Sequence, residues 1–205
     1  DGYRSCWDLL ASTKAVLGMC PNVMMCGATD VGAGFGMPRG GQAAVLTKQA
    51  KKAFQYYQRQ LWDPHVSQRA LHSASQSESH FHQYGAVAVF CFDLRSHRVD
   101  SDGIHRRDAP FINQEQWDSF ERVLRLPSVR TLILVSESPF IKDSPADARV
   151  KDALDPSLAY IRQTWPYNGT HLERLLKTVF DWKREHARRE VVLLANCDGA
   201  GDSGV

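Results

Sequence analysis

No apolar run in this 205-residue chain approaches the roughly 20 residues needed to cross a bilayer. Charge of one sign is scarce as well. Twenty-five basic and 23 acidic residues leave a formal charge of +2, too small to point to nucleic acid or a membrane surface. The basic runs His105-Arg106-Arg107 and Arg184 to Arg189 contain or adjoin acids, so they read as solvated faces. Cysteine is sparse: Cys6, Cys20, Cys26, Cys91 and Cys197 include no close pair. Buried free thiols fit that spacing better than a disulfide framework or a zinc site, which leans towards a reducing, cytoplasmic compartment. No signal peptide is visible. A first residue of Asp1 leaves a removed leader and secretion open, and only then does the sequon Asn168-Gly169-Thr170 matter. There is no internal repeat.

Common catalytic signatures are missing too. Ser136-Glu137-Ser138 has no flanking G-x-S-x-G elbow, which argues against a serine hydrolase. Gly32-Ala33-Gly34-Phe35-Gly36 is spaced G-x-G-x-G, with no following Lys-Ser/Thr and no strand-end acid about 20 residues on. It reads as a sharp turn needing positive φ, not a phosphate cradle. His80-Phe81-His82, with His65 and His72 nearby, reads as part of an exposed Ser- and Gln-rich segment and not as a metal cluster.

What is present is an ordinary globular composition, 43% hydrophobic and 10% aromatic, long enough for one domain with a sizeable core. The spacing predicts a short helix over 6–17 with Trp7, Leu10 and Leu17 on one side, and a buried strand over Asn22 to Cys26. An amphipathic helix carries Leu46, Ala50, Ala53, Phe54, Tyr57 and Leu61. Residues 72–80 look like an exposed connection. Gly85 to Phe92 is nearly all apolar, as a strand buried on both faces should be. Asn113 caps a helix lined by Trp117, Phe120 and Leu124.

Thr131 to Val135 is a third strand, and a proline-containing irregular stretch follows. Loops of that length are usually functional or mobile, which makes 137–170 a candidate surface for a protein partner. The last helix, 171–186, should bury Leu172, Leu175, Leu176, Val179 and Phe180, and Val191 to Ala195 is the closing strand. Trp117, Phe120, Phe180 and Trp182 read as core aromatics. Strands alternating with helices predict an α/β layered fold in a single domain, 1–205. Functional groups in such sheets gather beyond the carboxyl ends of strands, here in loops beginning at Gly27, Asp93, Ser136 and Asn196.

Five stretches in order carry a resemblance. They are Val23-Met24-Met25 with the Asp-Val-Gly-Ala-Gly-Phe-Gly loop, Phe92-Asp93-Leu94-Arg95-Ser96-His97-Arg98, and Asn113-Gln114-Glu115-Gln116-Trp117 with Phe120. Next come Thr131 to Ser136 with Pro139, and Leu172-Glu173-Arg174-Leu175-Leu176 through Trp182 into Val191 to Leu194. Across 22–195 the chain resembles the carboxyl-terminal two thirds of PhoD-like phosphatases, metal-dependent phosphoesterases with a layered α/β sandwich. The resemblance implies a partial metallophosphoesterase-like sandwich, a phosphate ester as ancestral substrate, and divalent or ferric ions as the cofactor of any active form.

The departures from that family fall on its metal motifs. Where its Asp-Asp-His-Asp/Glu motif stands, this chain has Gly27-Ala28-Thr29-Asp30. Ala28 has no donor atom, and Thr29, at the family's His position, cannot shuttle a proton near neutral pH. Asp30 survives as a metal ligand. Where Gly-Asp-Val-His closes the family site, the chain has Asn196-Cys197-Asp198-Gly199. Cys197 is a soft substitute in a hard-cation oxygen site, while a shifted alignment presents Asp198 or Asp202. The family's upstream Gly-Asp motif has no counterpart.

Two clamped ions are needed for binuclear cleavage. The resemblance therefore implies a domain that is inactive, binds no ion tightly and is kept for binding or regulation. The alternatives are an active phosphomonoesterase or phosphodiesterase with an atypical site built from Asp30, Cys197 and Asp198, and a protein-interaction module. Arg95 is expected either to bind an anion or to brace its loop through an Asp–Arg pair.

Overall fold

The computed structural model describes residues 5, 9–20, 22–27, 41–59, 77–95, 110–141, 144–154 and 164–196. In chain order the elements are α1 (Ala11–Met19), α2 (Gly41–Tyr57), β1 (His80–Tyr84), β2 (Val87–Cys91), α3 (Gln114–Leu124), β3 (Thr131–Ser136), α4 (Pro145–Leu154), α5 (Gly169–Arg184) and β4 (Glu190–Ala195). The strands form one mixed sheet in the order β1-β2-β3-β4. β1 is antiparallel to β2, while β2, β3 and β4 run parallel. The chain is thus an α/β fold.

Parallel neighbours need a crossover, and α3 and α5 lie in the two crossovers of this sheet. They share one face of it. Ala88 and Phe90 of β2 and Leu132 and Leu134 of β3 pack in one buried cluster with Trp117, Phe120 and Val123 of α3 and Leu172, Leu175, Val179 and Trp182 of α5. Edge-to-face ring pairs stitch it together, with Phe90 and Phe120 centroids 5.2 Å apart and Phe92 and Trp165 5.3 Å apart. The Trp182 indole donates to the Leu124 carbonyl at 3.0 Å, tying the end of α5 to the end of α3. Asn113 caps α3 as its sequence predicts, its side chain accepting from the Gln116 amide at 3.0 Å.

Several expectations are corrected. Gly85 to Phe92 is not one continuous strand. Gly85 and Ala86 form the two-residue turn of a hairpin, with Tyr84 paired to Val87. Gly85 has a φ of 59° and no other residue in the turn is left-handed, the pattern of a type II′ turn. The connection expected over 72–80 therefore ends in β1, and Ser77 and Glu78 are buried. Asn22 to Cys26 is not a strand and pairs with none among the described residues, and only Cys26 of it is buried.

α1 has no buried residue, so Leu10 and Leu17 line no core; Trp7 lies outside the described residues. The irregular stretch 137–170 contains α4 and sends Phe140 and Trp165 into the core. In α5 the buried stripe is Leu172, Leu175, Val179 and Trp182. Leu176 is partly buried and Phe180 is 56% exposed, because one step past Val179 turns its side chain about 100° off that stripe. In α2 Phe54 is fully buried, and Ala50, Ala53 and Tyr57 are half-buried; the Leu46 side chain and Leu61 lie outside the described residues.

Among the described residues, no helix is long and apolar enough to cross a membrane. Cys26 and Cys91 are buried free thiols, as their apolar runs predict, whereas Cys20 is exposed.

Candidate functional site at the carboxyl edge of the sheet

Because β2, β3 and β4 are parallel, the loops at Asp93, Ser136 and Asn196 leave the sheet at the same edge. β1 runs the other way, so its first residue, His80, sits opposite Cys91 at that edge too. A ring nitrogen of His80 lies 3.2 Å from the Met24 carbonyl, which brings the segment leading to Gly27 alongside. Backbone hydrogen bonds extend the ladder into the loops, from Phe92 to Val135 at 3.0 Å and from Asn196 to Ser136 at 3.2 Å.

This edge concentrates the buried polar side chains. Lys51, Gln55, Arg59, Ser77, Glu78, Asp93, Arg95, Gln116, Ser136 and Ser138 are all buried here. Burial of so many polar groups demands partners. Asp93 accepts the Arg95 amide on one carboxylate oxygen at 2.9 Å and the Glu78 amide on the other at 2.7 Å. Gln116 grips the backbone of the same residue, accepting from its amide at 3.0 Å and donating to its carbonyl at 2.9 Å.

The Glu78 carboxylate in turn accepts from Gln55 and Arg59, both at 2.6 Å, with the Lys51 ammonium 3.9 Å away. Lys51, Gln55 and Arg59 recur at every fourth residue, so α2 and its last turn offer them as one stripe. The Arg95 guanidinium does not pair with Asp93. Its Nε donates to Glu137, on the next loop, at 2.5 Å. Ser136 donates its hydroxyl to the Ser138 carbonyl at 2.7 Å and accepts the Trp165 indole N–H at 2.9 Å.

Among the described residues, this edge is a network of buried charges of both signs: Lys51, Arg59 and Arg95 stand with Glu78, Asp93 and Glu137. Ser136 has no adjacent histidine among these bonds to act as a base. The carboxylates that would be the hard donors for a pair of cations already carry N–H groups from the protein. Among the described residues no three His, Cys, Asp or Glu side chains gather as a metal site. These rim residues therefore do not fit the two ions of a binuclear centre.

Of the residues singled out in the sequence, Arg95 and Asn196 stand at this edge, Asn196 exposed. Ala28, Thr29, Asp30, Cys197, Asp198 and Asp202 lie outside the described residues. Sequence reasoning missed Glu78, Gln55, Arg59 and Glu137. The fourfold recurrence of 51, 55 and 59 is the one signal that was available for part of this set.

Two histidines complete the surroundings. The His80 pKa is pushed down to about 3, chiefly by burial, with the neighbouring His82 next in effect and Arg59 adding to it against Asp93. Burial lowers His82 as well. Burial pushes the Cys91 thiol up to about 12, so it is not a nucleophile at neutral pH. Comparison of the chain with family models, with curated proteins and with solved structures finds no match.

Proposed function

We propose that this chain is a PhoD-like metallophosphoesterase domain, the carboxyl-terminal two thirds of that layered sandwich. In this reading phosphoester cleavage has been lost, and the former catalytic edge serves to hold the fold and present a binding surface. One observation carries it: Asp93 and Arg95, in one of the stretches that resemble the family, turn their polar groups inward onto Glu78 and Glu137. Among the described residues, each buried guanidinium at this edge, Arg59 and Arg95, is already paired with a carboxylate. The substitutions at Ala28, Thr29, Asn196, Cys197 and Gly199 argue in the same direction, since they remove oxygen and imidazole ligands from two loops. Exposed apolar side chains within 137–170, Ile141, Val150 and Leu154, support that stretch as the surface for a protein partner.

The test is a restored variant carrying Ala28→Asp, Thr29→His, Asn196→Gly, Cys197→Asp and Gly199→His, titrated with a divalent ion beside the parent chain. Tighter binding by the variant, without full turnover of a phosphate ester, is the expected result. Equal weak binding by two well-folded proteins would overturn the family reading.

A further inference from the structure

β4 ends the sheet: the strand order puts β3 on one side of it and, among the described residues, no strand on the other. Natural edge strands are guarded by lysine, proline, a bulge or an inward-pointing charge. Past Glu190, the run Val191-Val192-Leu193-Leu194-Ala195 has none of these, and its pairing with β3 is regular throughout. It is apolar on both faces and still open to water. Val192 is 40% exposed, Leu193 38% and Leu194 49%.

The backbone fixes what this edge can take. The amides of Glu190 and Asn196 donate inward, to the Arg130 and Ser136 carbonyls at 2.9 and 3.2 Å. In a parallel ladder alternate residues turn both backbone groups to the same neighbour, so Glu190, Val192, Leu194 and Asn196 face β3. Val191, Leu193 and Ala195 therefore aim N–H and C=O outward, and among the described residues no hydrogen bond reaches those groups.

These outward groups match a copy of themselves. A two-fold axis through Leu193, perpendicular to the sheet, sets Leu193 against Leu193 of the second copy, and Val191 against Ala195 in both directions. Each of those pairs exchanges two hydrogen bonds, so every outward residue of the strand is used. Val192 then meets Leu194 on the face away from the helices, twice, as close non-hydrogen-bonded neighbours. Glu190 falls opposite Asn196. At ~3.3 Å per residue the two Glu190 carboxylates stand roughly 20 Å apart, well beyond the screening length in physiological salt. In-register parallel pairing would instead set them side by side, about 4.8 Å apart.

We propose that β4 is the docking edge for a second copy of this chain, the two strands pairing antiparallel about a two-fold axis at Leu193 so that both sheets become one. The contact is isologous and closes at a dimer, because it consumes the apolar edge of each copy. The other edge of the described sheet, β1, carries His80, His82 and Gln83 and offers no equivalent surface. The dimer does not depend on the phosphoesterase ancestry.

Sedimentation equilibrium of the full chain, from micromolar to sub-millimolar concentration, should show monomer and dimer and no larger species. Val192→Lys sets a charge on the outer face while leaving the backbone of β4 able to pair with β3, and should weaken dimerisation at least about tenfold. Cross-linking reads the register. With Cys6, Cys20 and Cys197 changed to Ser and the buried Cys26 and Cys91 kept, Leu193→Cys should give a disulfide-linked dimer in oxidised glutathione, because its paired Cα atoms stand about 5.5 Å apart. Leu194→Cys alone should not, since its own counterpart lies diagonally at roughly 7–8 Å, whereas mixing it with Val192→Cys should link the two chains. If Leu193→Cys does not fold, that mixture decides. A parent chain that stays monomeric across the range would overturn the proposal. So would open-ended aggregation, or a Leu194→Cys chain that links to itself more readily than to Val192→Cys.

Discussion

Arg95 and Glu137 meet Nε to Oε2 at 2.5 Å, joining the loops that follow β2 and β3. The Arg95 side chain is 9% exposed and that of Glu137 15%, so the pair is poorly screened by water. Removing one partner takes this pairing away from the other buried charge. Arg95→Met and Glu137→Leu should each cost about 3 kcal/mol, and the double variant less than their sum. Urea unfolding of all four proteins checks this. Additive losses would show that the two side chains do not act as a pair.

The face assignment of α5 is tested by two alanines. Leu175 is fully buried between helix and sheet, so Leu175→Ala should cost about 2–5 kcal/mol. Phe180→Ala, on the exposed side of the same helix, should stay within about 0.5 kcal/mol. Similar losses at the two positions would mean that the helix is rotated.

Acid should weaken the fold through His80. In the unfolded chain this imidazole takes up a proton near 6.5, whereas in the folded chain it does so only at about 3. Between those values the unfolded state binds more protons, so stability falls as the pH drops from 6.5 towards 3. His82, lowered in the same direction by burial, adds to the slope. Denaturant midpoints measured in chelator across that range should fall steeply for the parent and less steeply for His80→Gln. Parallel curves would contradict the burial of a neutral imidazole.

Much of the fold is local enough to read from the chain. β3, β4 and the cap of α3 each rest on a short pattern, an apolar run or an Asn three residues before its amide partner. β1 escaped because His80-Phe81-His82-Gln83-Tyr84 is polar, although its alternation and the glycine after it are strand and hairpin signals. The apolar run Asn22 to Cys26 misled in the other direction: only Cys26 of it is buried, and it is no strand of the sheet among the described residues. At the candidate site, Arg95 was legible as a strand-end arginine. Its partner was not: Glu137 is 42 residues away, and Glu78 is bound by Gln55 and Arg59 across 23 and 19 residues. No local spacing encodes such pairings; they arise only once the strands are in register.

The proposal that the carboxyl edge holds no binuclear centre is tested most directly by elemental analysis of the full chain after gel filtration in metal-free buffer. If no ligand set clamps two ions, less than one ion per chain should remain. Two tightly held divalent or ferric ions per chain would contradict the account.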